Sequence, residues 1–367
     1  MRCFGILFAV SVIFVALFQE VAISKPFNSR EAASEDKKIA GEDDDVLRIG
    51  VRTFAQPFSY RSGRIVRAPL GPKIGPLGRE GYTGYMIYIC DEILMQMMIP
   101  KGDSPIITEN EIKAIDIDRT WSKALGDRLG SIGESVDIIC DPASISRDRV
   151  NSFLVSPPLF ATGIGYLRFP EKLFAEPCDK ASALIGAVGS TNAVQRGIRS
   201  ILEAGEWAPH RRKIETALRG ENPCFDAKGG AERRRVSELD TKCDVDLSQQ
   251  VIWEADNHAQ LAECFCRGKV HYYVGDFEII KAHADSIPGC KYYASANTFT
   301  SDRYAIFAVN ETQNTDKARK ISKFFEILNR EVVTSDSLLD RAYLSEFGED
   351  PKSPALNSFF WSMRGTP

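Results

Sequence analysis

The sequence predicts an α/β fold, because strands and helices alternate along the chain and the second half repeats the style of the first. Two stretches carry that expectation. "VDIIC" (Val136–Cys140) reads as a strand buried on both faces, as in a parallel sheet. "ALIGAVGSTNAVQRGIRSILEAG" reads as a strand, a tight turn and an amphipathic helix.

The chain opens with Met1 and Arg2 ahead of "CFGILFAVSVIFVALF", an apolar run of secretory length, with Ala22 and Ser24 at the small positions before a cleavage site. Residues 1–24 are expected to be a signal peptide; the rival is an uncleaved membrane anchor. Residues 25–44 are polar and charged, a flexible leader. Val46, Leu47, Ile49 and Val51 give the first strand, and its loop carries Arg52, Phe54, Phe58 and Tyr60. "YTGYMIYICDEILMQMMI" is apolar at helical spacing (Met86, Ile89, Ile93, Met97), with its methionines as core filler. Pro142 cannot donate to a ladder and is expected to stop the strand that begins at Val136. Ser144, Ser146 and Arg149 then stand as donors at a strand's carboxyl end, where open α/β sheets bind ligands.

In the second half Ser190 is a natural N-cap, and Val194, Ile198, Ile201 and Leu202 form a buried stripe that Gly205 ends. Gly189, Ser190 and Thr191 present backbone amides suited to an anion. The polar stretch 206–247 reads as a surface insertion. Asn257 caps a helix that Gly268 ends; the strand Val270–Val274 follows, then Asp276, a carboxylate placed to cap a helix or meet a cation. Helices at "KARKISKFFEILNREVV" and "DSLLDRAYLSEF" close the chain.

With 367 residues, 44% hydrophobic and 26% charged, the composition is globular and allows two domains. A net charge of −4 leaves no basic surplus for phosphates, so no nucleic-acid partner is expected. No segment after residue 24 approaches the ~18 apolar residues of a transmembrane helix. Cys3 leaves with the signal, and eight cysteines remain; an even number in an exported chain favours disulfides of open connectivity. Cys264-x-Cys266 has no matching second pair, so neither metal nor cofactor is expected. The four histidines (His210, His258, His271, His283) make no motif with serine or cysteine, so no nucleophilic catalysis is expected.

Taken together, "VDIICDPASISRDRVNSFLVSPPLFATGIGYL", "GSTNAV" and "RGKVHYYVGD" make the chain resemble the periplasmic solute-binding proteins of the polar amino-acid branch, which serve ABC importers. The likeness runs from about Leu47 to Phe347. It implies a two-lobed type II fold with two crossing strands: lobe 1 from residues 45–163 and 302–367, lobe 2 from 164–301 with its insertion at about 206–247. It further implies a monomer without enzymatic activity that works with an inner-membrane permease in the periplasm. Arg149 would pair with a ligand α-carboxylate, helped by Ser144, Ser190 and Thr191, beside Pro142 and Phe54. Asp276 would take the α-ammonium. "IGVRTFAQPFSY", "GDRLGSIGESVDIIC" and "ADNHAQL" look like glutamate/aspartate-binding members, so Arg52, Arg128 and His258 would face an acidic side chain. Asp141 and Pro142 depart from that pattern, and the Asp141 carboxylate would oppose an acidic ligand unless paired. The rival readings are a dehydratase of the cyclohexadienyl type on the same scaffold, which needs a placed general acid, and a ligand sensor for a separate membrane partner.

Overall fold

The computed structural model describes residues 45–62, 74–100, 104–117, 135–170, 183–189, 191–221, 250–310, 312, 314–333, 338–349 and 351–363. Expectations for residues 1–44, Arg128, Ser190 and most of the polar insertion lie outside these residues.

Leu47, Ile49 and Val51 bury one strand, β1 (Leu47–Val51). Three short strands follow, β2 (Phe54–Ala55), β3 (Ser59–Arg61) and β4 (Tyr82–Thr83), with the one-turn helix α1 (Pro76–Arg79) before the last. Helix α2 (Tyr85–Met98) buries Met86, Ile89, Ile93 and Met97, the stripe that the sequence displays. Then come β5 (Ile112–Asp116), β6 (Ile138–Ser144), α3 (Arg147–Ser152), β7 (Leu154–Val155) and β8 (Phe160–Thr162). A second group holds β9 (Ile164–Arg168), β10 (Ala183–Val188), α4 (Ile198–Glu203), α5 (Arg211–Leu218), β11 (Ile252–Ala255), α6 (His258–Cys266), β12 (Val270–Asp276), α7 (Phe277–Asp285) and β13 (Tyr293–Ala294). The chain ends with β14 (Asp302–Ala308), α8 (Thr315–Val332), α9 (Leu338–Phe347) and α10 (Pro354–Met363), the last of which was not anticipated. Asn257 caps α6 by accepting from the Gln260 amide at 2.9 Å, and Gly205 and Gly268 take the positive φ of helix stops.

Two sheets share one plan. In the first, β5, β1 and β6 run parallel and β14 joins β6 antiparallel. In the second, β11, β10 and β12 run parallel and β9 joins β12 antiparallel. The antiparallel strand of each sheet is the one that has just crossed from the other. α2, α8 and α9 cover one face of the first sheet, and Ile117, Val136, Ile139 and Phe307 pack on the other. In the second sheet α6 and α7 cover one face, α4 and α5 the other. This is a two-lobed α/β fold with two crossing strands. Among the described residues no helix is long and apolar enough to cross a membrane.

Ile49 stands opposite Ile138 across β1 and β6. That register sets an ion pair at either end of the strand pair: Arg48 with Asp137 at 2.9 Å and Arg52 with Asp141 at 2.6 Å.

Pro142 does not end β6, contrary to the sequence expectation. The ladder with β1 is already over at Ile139, and the β14 register shifts between Ala305 and Phe307, so Pro142 occupies an irregular stretch. A missing donor is tolerated at such a bulge. Disulfides join Cys90 of α2 to Cys140 of β6, and Cys266 of α6 to Cys290 beyond α7; Cys264 is bridged as well. The Cys90–Cys140 bridge, with a sequence separation of 50, restrains the unfolded chain by about 4 kcal/mol in the chain-entropy picture.

The crossings are tied at Gly163. Its carbonyl accepts from the Phe277 amide at 3.0 Å, the Ile164 amide donates to Thr300 Oγ1 at 2.8 Å, and the Phe299 amide donates to the Ile164 carbonyl at 2.7 Å. A Cβ at Gly163 would lie 2.1 Å from the Thr300 carbonyl oxygen, which is backbone and cannot swing aside. Gly163→Ala should therefore cost about 1–3 kcal/mol, read as a lowered midpoint in denaturant unfolding. An unchanged midpoint would mean the two crossing strands part freely.

Candidate functional site

The carboxyl ends of β6, β10 and β12 carry the polar groups that the sequence singles out. Ser146 caps α3 by accepting from the Arg149 amide, and the half-buried Arg149 side chain donates from Nη1 to the Ser144 carbonyl at 2.7 Å. Past β10, the Thr191 hydroxyl donates to the Val188 carbonyl at 2.7 Å, and Asn192 Nδ2 donates to Ser144 Oγ at 3.4 Å. That last bond joins the two sheets' strand ends. Asn192 was not foreseen; a polar residue in a turn gives no signal of reaching another lobe.

Asp276 ends β12 and is the N-cap residue of α7, yet its side chain makes no capping bond. It faces Tyr304 of β14 instead. Burial, with the Asp276 and Glu278 carboxylates alongside, pushes the Tyr304 phenol well above its ordinary range. Glu278 in the first turn of α7 accepts a hydrogen bond from the Thr162 hydroxyl, beside the Gly163 crossing. Burial raises its carboxyl from 4.5 to about 7, and the nearby Asp276 charge adds to the rise against the hydrogen bonds it accepts. An acid in a first helical turn looks like ordinary dipole compensation, which is why the sequence hid it.

Of the residues expected to read the side chain, Arg128 lies outside the described residues, and Arg52 and His258 are engaged elsewhere. Arg52 Nε meets Asp141 Oδ1 at 2.6 Å, with the Asp141 side chain only 1% exposed, so the departure noted at Asp141 is paired. The Arg52 amide also donates to Ser59 Oγ. His258 is buried, with Nδ1 3.0 Å from the Tyr273 hydroxyl and its ring stacked on His283 at 5.6 Å. His283 hydrogen-bonds the Phe54 backbone; burial, with the Arg52 charge as a smaller cause, brings its pKa down to about 4 against that bond. Phe54 itself is 56% exposed. Pro142 is buried in β6 near Asp141. The structure thus brings Ser144, Arg149, Thr191 and Asn192 together, and sets Arg52, Phe54, His283 and His258 in a second chain of contacts. A groove of about 470 Å³ between α6 and α7 contains none of the residues expected from sequence. Among the described residues no cluster of three His, Cys, Asp or Glu could hold a metal ion.

A guanidinium with neighbouring hydroxyls and an amide can hold a carboxylate, and a carboxylate not spent on capping can hold an ammonium.

No family model matches the chain, and no curated protein matches it. Among solved structures, an ancestral arginine-binding protein bound to arginine is similar with a TM-score of 0.48 and 15% identity, covering 83% of this chain and 99% of that one. A putative binding component of an ABC transporter from Wolinella succinogenes complexed with lysine gives 0.48 and 12%, over 84% and 97%. The arginine-, lysine-, histidine-binding protein ArtJ from Geobacillus stearothermophilus gives 0.48 and 14%, over 85% and 99%. Likeness at this level assigns no ligand to this chain.

Two measurements test the electrostatics. Arg52→Ala should destabilise the protein by about 3–5 kcal/mol, since it strips a buried carboxylate of its cation; Arg52→Met with Asp141→Leu should recover most of that. Equal loss in the single and double variants would show that packing, not charge, is at stake. Glu278 has a folded-state pKa above the ordinary 4.5, so the stability it contributes is present at low pH and lost as pH rises toward about 7. Wild type should lose stability relative to Glu278→Gln across that window in thermal unfolding. A constant difference would mean that Glu278 titrates normally.

Proposed function

We propose that the chain is an exported solute-binding protein that holds an amino acid between its lobes and hands it to an ABC permease of the inner membrane. Residues 1–24 are the export signal on this reading, and the protein acts as a periplasmic monomer. Lobe 1 comprises 45–163 and 302–367, and lobe 2 comprises 164–301. The observation that carries the proposal is the Asn192–Ser144 hydrogen bond, which joins the strand ends of both sheets beside Arg149. Arg149 pairs with the α-carboxylate with help from Ser144, Ser190 and Thr191, and Asp276 takes the α-ammonium.

An acidic side-chain preference rests on Arg52, Arg128 and His258. The Arg52 charge is offset by Asp141, and His258 is bonded to Tyr273. An amino acid with a neutral side chain therefore suits the charge balance better than glutamate or aspartate.

One observation favours a second reading, a dehydratase-type enzyme on this scaffold: the Thr162-bonded Glu278 carboxyl is pushed by burial up to about 7, the range a general acid uses. Product formation from prephenate or arogenate, lost in Glu278→Gln, would support it.

A thermal-shift panel of the twenty amino acids should find at least one that raises the midpoint by mass action. Arg149→Ala should weaken that ligand by about 2–5 kcal/mol while leaving the unliganded midpoint near wild type. Asp276→Asn should weaken ligands with a free α-amino group most. Equal binding by Arg149→Ala would reject this site.

A further inference from the structure

Asp276 and Glu278 share the turn where β12 passes into α7. Thr162 from β8 donates to the Glu278 carboxylate, and Tyr304 from β14 feels both acids. Asp302, also on β14, is the next acid and accepts from Thr300 Oγ1 at 2.5 Å. The groups that act most on Glu278 are the Thr162 hydroxyl, its own backbone amide and the Asp276 charge. Two neighbouring carboxylates in a partly desolvated place resist ionising together. Burial and the neighbouring Asp276 charge both favour the protonated form of Glu278.

We propose that Glu278 is the proton-exchanging partner of Asp276: when an ammonium group settles against Asp276, Glu278 gives its proton to water, so ligand uptake and proton release form one linked step. The inference rests on the reading of Asp276 as the ammonium's partner. It adds a regulation of that site by pH. The balance is simple: the Glu278 O–H bond breaks heterolytically, the proton passes to solvent, and the new carboxylate charge is offset by the incoming ammonium. Nothing is oxidised or reduced. Glu278 acts through Asp276 and is a positioning residue without a direct ligand contact. The sign follows from linkage, because a step that releases protons is favoured by rising pH and levels off once Glu278 is already ionised in the empty site.

Calorimetry with the full chain, using L-glutamine, L-arginine, L-glutamate and L-aspartate as probes, tests this. Titrations at pH 7 in buffers of different ionisation enthalpy should reveal release of about half a proton per bound amino acid, with affinity rising up to about tenfold from pH 6 to pH 7.5. Glu278→Gln should bind with no proton release and a flat pH profile. Binding by wild type without buffer-dependent heat, or unchanged proton release in Glu278→Gln, overturns this proposal and leaves amino-acid binding standing. Failure of all four probes to bind overturns the amino-acid reading and this proposal together.

Discussion

The register of β1 against β6 decides where four charges go. With Ile49 opposite Ile138, Arg48 falls beside Asp137 and Arg52 beside Asp141, so each end of the parallel pair is closed by an ion pair. Lys317 of α8 adds a second cation at Asp137, 3.4 Å away, and ties the last third of the chain to the same strand end. At the other end Arg52 is held through Ser59, which fixes the loop that carries Phe54. A slip of one residue would set aspartate against the wrong neighbour and turn Leu47, Ile49 and Val51 to the opposite face of the sheet. Such pairs add little net stability, but their loss is expensive because the carboxylates are already out of water.

That constraint reaches the candidate site by subtraction. A guanidinium bound to a buried carboxylate presents no net charge, so the Arg52–Asp141 pair adds none to the region. Arg149 and Asp276 stand at the ends of different sheets, and the Asn192–Ser144 bond is where the sheets' carboxyl ends meet.

Much of the architecture was legible because it is local. Period-two burial in β1, the helical stripe of α2, the Asn257 cap and the glycine stops all depend on residues within one turn or one strand. What escaped depends on distant partners. Pro142 reads as a strand end only if β6 is assumed to be paired along its whole length, and its β1 partner stops short. Arg52 and Asp141 are 89 residues apart, so their pairing needs a register that no spacing rule supplies. The same holds for His258, whose place at a helix start is visible but whose Tyr273 partner is not. Glu278 was hidden by resembling the acids that favour any helix start.

The disulfides at Cys90–Cys140 and Cys266–Cys290 each close within one sheet and its helices, and neither spans Gly163. Mechanically they are clamps within each sheet and its helices, placed away from the Gly163 crossing. Oxidation of these two pairs therefore reinforces each sheet with its helices and leaves the Gly163 crossing to its own hydrogen bonds. The bonds that harden each half and the bonds that join the halves are thus different bonds.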